Sequence, residues 1–219
     1  MPDEEWLVSG STAPDEVRGY YDEQAPTYDT TLASWGYDAP WRVAELLLRT
    51  LPADREPQTV LDAGCGTGLA AQALRDAGFG GRLLGVDLSP DSVALAAGRG
   101  IYDDMAVGDL QQPLECDDDS VDGIVCVGVL TYVPDVAAIW GEFCRITRPG
   151  GAIVLTQRDD LWRERRCNEV LHDLERDGRW AVVHLSPPAS YLPGNADFGD
   201  EILVRYLAAR VRQVGRSPT

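Results

Sequence analysis

The chain has 219 residues, of which 44% are hydrophobic, so it fits a single domain with one substantial core. Its formal charge is −17 and its pI is about 4.3, so a general affinity for the phosphate backbone of nucleic acids is disfavoured. The most apolar stretch, residues 123–133, is far too short to span a bilayer, and a membrane protein is not expected.

The region from about residue 14 to residue 50 is predicted to form two helices with a loop between them. This region is rich in tyrosine and tryptophan. No linker rich in proline or serine separates this region from the rest of the chain. We therefore predict one domain over residues 1–219, with an N-terminal tail and helical cap in residues 1–50 and a core in residues 51–219.

The core alternates apolar runs with segments of helical period, which is typical of a parallel sheet with crossover helices. Strands are predicted at residues 59–62, 82–87, 105–107, 122–127, 152–156 and 180–185. Helices are predicted at residues 69–77, 90–98 (with Ser89 as its N-cap), 136–146 and 160–177. Residues 201–214 fit both periods, and a strand is favoured. The expected fold is a Rossmann-like, doubly wound, mostly parallel sheet with helices on both faces.

A glycine-rich turn, VLDAGCGTG at residues 60–68, follows the first strand. Glycines at Gly64, Gly66 and Gly68 allow a ligand to approach the backbone closely, at the sheet edge where open α/β folds bind ligands. Asp62 lies at the mouth of this turn and Asp87 about 25 residues later, near the spacing at which an acidic residue binds ribose hydroxyls.

A nicotinamide or flavin dinucleotide is the obvious rival ligand, and the glycine pattern disfavours it. The dinucleotide fingerprint needs glycine at its sixth position, where this chain has Leu69. A carboxylate at Asp62 would also repel a pyrophosphate in a partly buried site. A nucleoside that carries positive charge and no phosphate fits better, and S-adenosylmethionine is such a molecule.

The expected contacts with this cofactor follow the chain. Asp62 favours its cationic end, and Asp87 holds the ribose diol. Asp109, after the third strand, accepts from the adenine amine, and Leu88 and Leu110 flank the ring. Val127, at the end of the fourth strand, completes the predicted cofactor contacts. Asp122, at the start of that strand, is expected to be structural, and Arg158, Arg163, Arg165 and Arg166 are expected to form a solvated helix face.

The motifs VLDAGCGTG, GVDLS, VGDL and RITRPGG, in this order and spacing, resemble those of class I S-adenosylmethionine-dependent methyltransferases. YYDEQAPTYD and YLPG extend the resemblance, more narrowly, to the methyltransferase-like family named for the Williams–Beuren syndrome chromosome region. The resemblance implies a seven-stranded sheet whose last strand is antiparallel. It also implies, through a YD-x-x-A-x-x-YD pattern, that an aromatic segment closes over the cofactor, with Tyr20 and Tyr28 as candidates.

The sequence says less about the methyl acceptor than about the cofactor. The fourth strand leads into VGVLTYVPD and has no Asn-Pro-Pro-aromatic tetrad, so planar amines of the kind found in DNA adenine are disfavoured as acceptors. Thr131 and Tyr132 are expected beside the transferred methyl group, and His184 is a weaker pocket candidate. The sequence assigns no catalytic acid or base, and its acidity and compact cap favour a small-molecule acceptor.

Several alternatives stay open at this point. The acceptor atom can be oxygen, nitrogen or sulfur. A protein substrate stays open, and so does a cofactor-binding sensor or partner subunit without chemistry. The sequence does not indicate the oligomeric state. The five cysteines have no CxxC or Cys/His ligand spacing, which favours reduced thiols in the cytoplasm and no bound metal. The acidic N-terminus MPDEEWL is not a secretory signal.

Overall fold

The computed structural model describes residue 6 and residues 10–55, 57–196 and 201–213 of the chain. Most of the predicted N-terminal tail, at residues 1–5 and 7–9, lies outside the described residues. No helix within the described ranges is both long and apolar enough to cross a membrane.

Eight helices have their bounds in the described ranges, and three of them precede the first strand. They are α1 (Pro14–Gln24), α2 (Tyr28–Ser34), α3 (Ala39–Thr50), α4 (Leu69–Asp76), α5 (Pro90–Gly98), α6 (Val136–Ile146), α7 (Asp159–Glu164) and α8 (Cys167–Arg176). A short 3₁₀ turn at Leu130–Tyr132 lies between the fourth strand and α6.

One sheet organises the chain. Its strands are β1 (Thr59–Ala63), β2 (Arg82–Asp87), β3 (Asp104–Val107), β4 (Val121–Cys126), β5 (Thr147–Arg158), β6 (Trp180–Leu185), β7 (Ala189–Ser190) and β8 (Leu203–Val211). The order is β3-β2-β1-β4-β5-β8-β6, with the two-residue β7 beside β8. The first five strands run parallel, and β8 is antiparallel to β5 and β6. The expected Rossmann-like sheet is confirmed, including the strand assignment near the C-terminus.

Successive strand residues face opposite sides, so the sheet has two cores. Val60 and Val125 pack with the helices on one side, and their neighbours Leu61 and Ile124 pack on the other. The second core contains three fully buried tryptophans, Trp140, Trp162 and Trp180. Both faces of the central strands are therefore covered, as the continuous apolar runs in the sequence predict.

The N-terminal region has three helices where two were predicted. Proline at the start of α1 and α3 favours a helix beginning at each, and the break after Gln24 is followed by the separate seven-residue helix α2. The third helix buries Val43, Ala44 and Leu47 in the same core as Val60. Helices α1 and α2 lie over the carboxyl edge of the sheet.

The helix predicted over residues 160–177 is interrupted. Arg166 has a φ of 53°, in the left-handed region, and separates α7 from α8. The arginines near this break are not one solvated face. The Arg165 guanidinium donates to the carbonyls of Leu130, Thr131 and Val133 at 2.6–3.0 Å, whereas Arg163 and Arg166 are exposed. The solvated-face interpretation was therefore wrong for Arg165, and also for Arg158, which ends strand β5 and has a mostly buried side chain.

Candidate cofactor and acceptor site

The glycine turn joins β1 to α4 at the carboxyl edge of the sheet. The amides of Gly64 and Cys65 donate to the Val86 carbonyl at 2.8 and 3.0 Å, which ties the turn to the neighbouring strand β2. Gly64 has a φ of 74°, and a Cβ there would lie 2.2 Å from a Val129 methyl carbon. Glycine is therefore required by both the backbone angle and the packing.

Asp87 ends β2 beside this turn. One carboxylate oxygen accepts from the Gly66 amide at 2.7 Å and the other from the Ser89 amide at 2.9 Å. These two bonds set the direction of the carboxylate, and each oxygen keeps a lone pair for a ligand hydroxyl. Burial raises the pKa of Asp87, although the hydrogen bonds from these amides oppose that shift.

Asp62 lies at the end of β1 and is almost completely buried. Burial raises its pKa to about 7, and the hydrogen bond from the Tyr102 hydroxyl at 2.7 Å acts in the opposite direction. A buried carboxylate of this kind becomes more stable when a cation lies beside it.

A cleft with about 990 Å³ of empty space, including its mouth, opens above these residues. We call this space the cofactor cleft. Most of the predicted cofactor contacts line it together: Tyr28, Asp62, Gly64, Gly66, Asp87, Leu88, Asp109, Leu110 and Val127. Tyr132, predicted on the acceptor side, lines it as well.

Charge in the cofactor cleft favours a cationic ligand over a phosphate. Among the described residues three carboxylates line it, from Asp62, Asp87 and Asp109. The one arginine in this described lining, Arg18, is exposed and paired with Asp15 at 2.8 Å. A pyrophosphate would meet net repulsion here, whereas a sulfonium and an ammonium group would be stabilised.

Three predicted contacts lie elsewhere. Gly68 has a φ of 95° and precedes α4, and a Cβ there would meet the side chains of Arg99 and Tyr102, so this glycine serves packing. Tyr20 stacks on Trp6 with ring centroids 4.3 Å apart and does not line the cofactor cleft. His184 is exposed on β6, at the end of the sheet farthest from β3, and lines neither cavity described here. None of these three residues lines the cofactor cleft.

Tyr21 is the cap residue that the sequence prediction missed. The YD-x-x-A-x-x-YD pattern spans residues 21–29, so its first tyrosine is Tyr21, not Tyr20. Tyr21 lines the cofactor cleft, and its hydroxyl donates to the Tyr132 hydroxyl at 2.7 Å. Correct alignment of the pattern would have identified it.

The aspartates of the same pattern hold the cap on the core. Asp22 accepts from the Ser89 hydroxyl at 2.6 Å, at the start of α5. Asp29 accepts from the Thr67 hydroxyl at 2.5 Å and forms an ion pair with Arg99, which itself donates to the Thr67 carbonyl. Both attachments are made to the segments that carry Gly66 and Asp87.

A second cavity, with about 590 Å³ of empty space, adjoins the cofactor cleft. Tyr21, Tyr28, Tyr37, Gly128 and Tyr132 line both spaces and form their common wall. The predicted acceptor contacts Thr131 and Tyr132 line this second space, which we call the aromatic cavity.

The aromatic cavity lies between the cap and the C-terminal strands. Trp35 and Tyr20 contribute from the cap, and Tyr191 and Ile202 from the segments around β7 and β8. The hydroxyls of Tyr37 and Tyr191 are 3.0 Å apart, which links the two sides. The YLPG segment of the sequence supplies Tyr191 and Leu192 of this wall.

Known proteins resemble this chain in sequence and in fold. A family model described as a methyltransferase domain matches residues 61–155. Methyltransferase-like protein 27 of Homo sapiens is 35% identical over 186 residues, which cover 80% of this chain and 74% of the human protein. Demethylmenaquinone methyltransferase of Tropheryma whipplei (strain Twist) is 31% identical over 149 residues, covering 65% of this chain and 59% of that protein.

Among solved structures, one chain of the complex between the Haloferax volcanii Trm112 methyltransferase activator and a methyltransferase aligns with a TM-score of 0.67. The alignment covers 92% of this chain and all of that chain at 24% identity, and it shows the shared fold. The extent of the human match, together with the domain match over the glycine turn and strands β1–β5, shows the family. The chain is a member of the class I S-adenosylmethionine-dependent methyltransferases.

Proposed function

We propose that this enzyme transfers the methyl group of S-adenosylmethionine to a small-molecule acceptor held in the aromatic cavity. The observation that carries the proposal is the adjoining pair of spaces, one lined by carboxylates and glycine backbone and the other by aromatic side chains. The second space is lined mainly by tyrosine and tryptophan side chains, which offer apolar faces and hydroxyl groups to a small acceptor.

In this proposal the residues of the cofactor cleft have separate tasks. Asp87 accepts from the ribose hydroxyls while the Gly66 and Ser89 amides hold its carboxylate in place. Asp62 stabilises the cationic end, and Leu88 and Leu110 cover the faces of the adenine. Asp109 accepts from the adenine amine, while its carboxylate also accepts from the Gln111 amide at 2.8 Å.

The cofactor supplies an electrophilic methyl group on a sulfonium. The task of the protein is then to align an acceptor lone pair behind that carbon and to exclude water. Tyr21, Tyr28 and Tyr132, in the common wall, are the residues we propose for this alignment. Oxygen, nitrogen and sulfur are all compatible with this arrangement as the acceptor atom.

Two alternatives compete with this proposal. The protein can act on a protein side chain that enters the aromatic cavity, or bind the cofactor as a sensor or partner subunit. The relatives include an enzyme named for a small-molecule acceptor, demethylmenaquinone, which supports a small-molecule acceptor here. The solved complex with a Trm112 activator belongs to another chain of the same fold, so a protein partner for this chain is a further hypothesis to test.

A panel experiment tests the proposal. The purified protein is incubated with S-adenosylmethionine and either a small-molecule library or an unfractionated set of basic and neutral peptides, and S-adenosylhomocysteine formation is measured. Turnover with a small molecule, lowered by Asp87→Ala at limiting cofactor, supports the proposal. Turnover with peptides alone favours a protein substrate, and stoichiometric cofactor binding with no turnover in either arm favours the sensor.

We also propose a cytoplasmic location. All five cysteines are free thiols, which is usual for proteins in a reducing compartment. Fractionation of cells that express a tagged full-length chain tests this, and recovery in a membrane or secreted fraction would contradict it.

A further inference from the structure

The aromatic cavity has few charged groups for its size. Its lining contains seven tyrosine and tryptophan side chains and one charged residue, Arg158, and within the described part of the chain it has no carboxylate, histidine or cysteine. The chain contains no lysine at all. The polar side-chain groups around a bound acceptor are therefore phenol hydroxyls, an indole N–H, the amide of Gln24, the hydroxyl of Thr131 and one guanidinium.

Arg158 ends strand β5, and its side chain is only 12% exposed. It donates to the Asp160 carboxylate at 2.6 and 3.1 Å, and Asp160 is half exposed on the protein surface. The guanidinium thus has an anchored position with its carboxylate partner towards solvent, and Arg158 is the one charged residue in the described lining of the cavity.

The tyrosines of this wall cannot accept a proton at neutral pH because they are already protonated. Burial raises the pKa of Tyr21, Tyr28 and Tyr37 well above the usual value, and it also raises that of Tyr191. As neutral phenols they donate hydrogen bonds. Among the described lining residues none is suited to act as a general base, so the acceptor must arrive with its lone pair available.

Aromatic walls also suit quaternary ammonium groups. In this cavity two features oppose a cation, namely the Arg158 guanidinium, whose charge Asp160 offsets in part, and the sulfonium expected across the common wall. Both favour an anion, and phenol hydroxyls are good hydrogen-bond donors to an oxyanion. Transfer to an anion also neutralises charge, and the low polarity of a buried site favours such a step over the same step in water.

We propose that the acceptor is a flat, conjugated oxyanion, of the phenolate or enolate type, which is ionised before transfer and needs no base from the protein. This inference rests on the proposed function. In the step, the oxygen lone pair forms the O–CH₃ bond, and the S–CH₃ bonding pair returns to sulfur. The products are a neutral methyl ether and S-adenosylhomocysteine, and no proton is released in the site.

Three para-substituted nitrobenzenes of different charge test this inference by calorimetry on protein saturated with S-adenosylhomocysteine. They are 4-nitrophenolate, the neutral 4-nitroaniline and the cationic 4-nitro-N,N,N-trimethylanilinium. We expect the phenolate to bind at least tenfold more tightly than the cation. Arg158→Gln should bind the phenolate about tenfold more weakly than the parent does, and its loss of affinity for the aniline should be clearly smaller. Arg158→Lys should keep most of the preference for the phenolate over the cation.

Arg163→Gln is the matched control, because Arg163 is an exposed arginine nearby on α7 and lines neither cavity. It should leave all three affinities unchanged. Cofactor affinity and thermal stability are measured for every variant, so that a folding defect in Arg158→Gln is recognised and Arg158→Lys then decides the role of the charge.

Equal or tighter binding of the cation, or equal losses for phenolate and aniline in Arg158→Gln, would overturn the inference, and so would failure of all three probes to bind. A small-molecule acceptor that is methylated on the lone pair of an amine nitrogen would overturn it too, yet leave the proposed function intact. Turnover of peptides alone, in contrast, would contradict the proposed function itself.

Discussion

The Tyr102 hydroxyl donates a hydrogen bond to Asp62 at 2.7 Å, although the two residues are 40 positions apart and Tyr102 lies in the loop after α5. The carboxylate of Asp62 is buried and accepts this hydrogen bond. Burial raises its pKa to about 7. A cation beside it would lower that pKa, so the ionisation of Asp62 and the binding of a cationic cofactor are coupled.

Cofactor binding should therefore depend on pH. Because a cation binds the ionised form of Asp62, the affinity for S-adenosylmethionine should rise as the pH increases towards about 7 and level off above it. Asp62→Asn should bind roughly tenfold more weakly at pH 8, or about 1.4 kcal/mol, and show a flatter profile. Calorimetric titrations across the neutral range measure both, and a profile shared by parent and variant would contradict the coupling.

The same pKa has a consequence for the cofactor-free protein. The pKa of Asp62 in the folded protein lies above the unfolded value of about 3.9. The contribution of Asp62 to the unfolding free energy is therefore complete below pH ~4, and it is lost as the pH rises through about 7. Asp62→Asn should therefore reduce the fall in unfolding free energy across this pH window, measured by urea denaturation. An unchanged slope would show that Asp62 ionises normally.

Removal of the Asp87 carboxylate should weaken the cofactor directly. The Gly66 and Ser89 amides hold this carboxylate in place, and for Asp87→Ala we expect at least a tenfold loss of cofactor affinity, equivalent to about 1.4 kcal/mol or more. Asp54→Ala is the control, since Asp54 is exposed and lines neither cavity. Equal affinities of the parent and Asp87→Ala would argue against the ribose role.

The attachment of the cap should also affect cofactor binding. Asp29 connects α2 to Thr67 and Arg99, so Asp29→Asn should loosen the cap and weaken cofactor binding by about 1 kcal/mol, because the contact is partly exposed. We expect hydrogen exchange in residues 14–38 to be slowed by saturating cofactor in the parent and less so in the variant.

Asp38→Asn is the control for the cap, because Asp38 is half exposed and pairs with Arg42 within its own segment. It should bind cofactor like the parent. If cofactor leaves the exchange of residues 14–38 unchanged in the parent, the cap does not respond to binding.

Arg165 should influence the acceptor side, because it donates to three carbonyls in and beside the 3₁₀ turn that carries Thr131 and Tyr132. Arg165→Met should displace this turn and lower kcat/KM for the acceptor, with little change in cofactor Kd. Single-turnover kinetics and calorimetry separate the two quantities. Arg163→Met, which removes an exposed arginine, should change neither, and a parallel loss of cofactor binding in Arg165→Met would indicate a general structural role.

Local patterns of the sequence predict the sheet and most of the cofactor cleft. Strand β2 and helix α6 have the predicted bounds, and Ser89 caps α5 as its position before Pro90 indicates. These features depend on neighbours a few residues apart: apolar periodicity, turn glycines and helix caps. Asp62 and Asp87 end their strands, and parallel strands bring their carboxyl ends to one edge, so the edge at which a ligand binds is predictable from the chain.

The rotation of each helix against the sheet is not predictable in this way. The adjacent residues Tyr20 and Tyr21 point about 100° apart on α1, and without the family pattern only the docking of that helix tells which of them faces the cofactor cleft. The exposure of His184 and the support that Arg165 gives to the 3₁₀ turn also depend on tertiary packing. Such contacts join residues distant in the chain, and no local preference of the backbone encodes them.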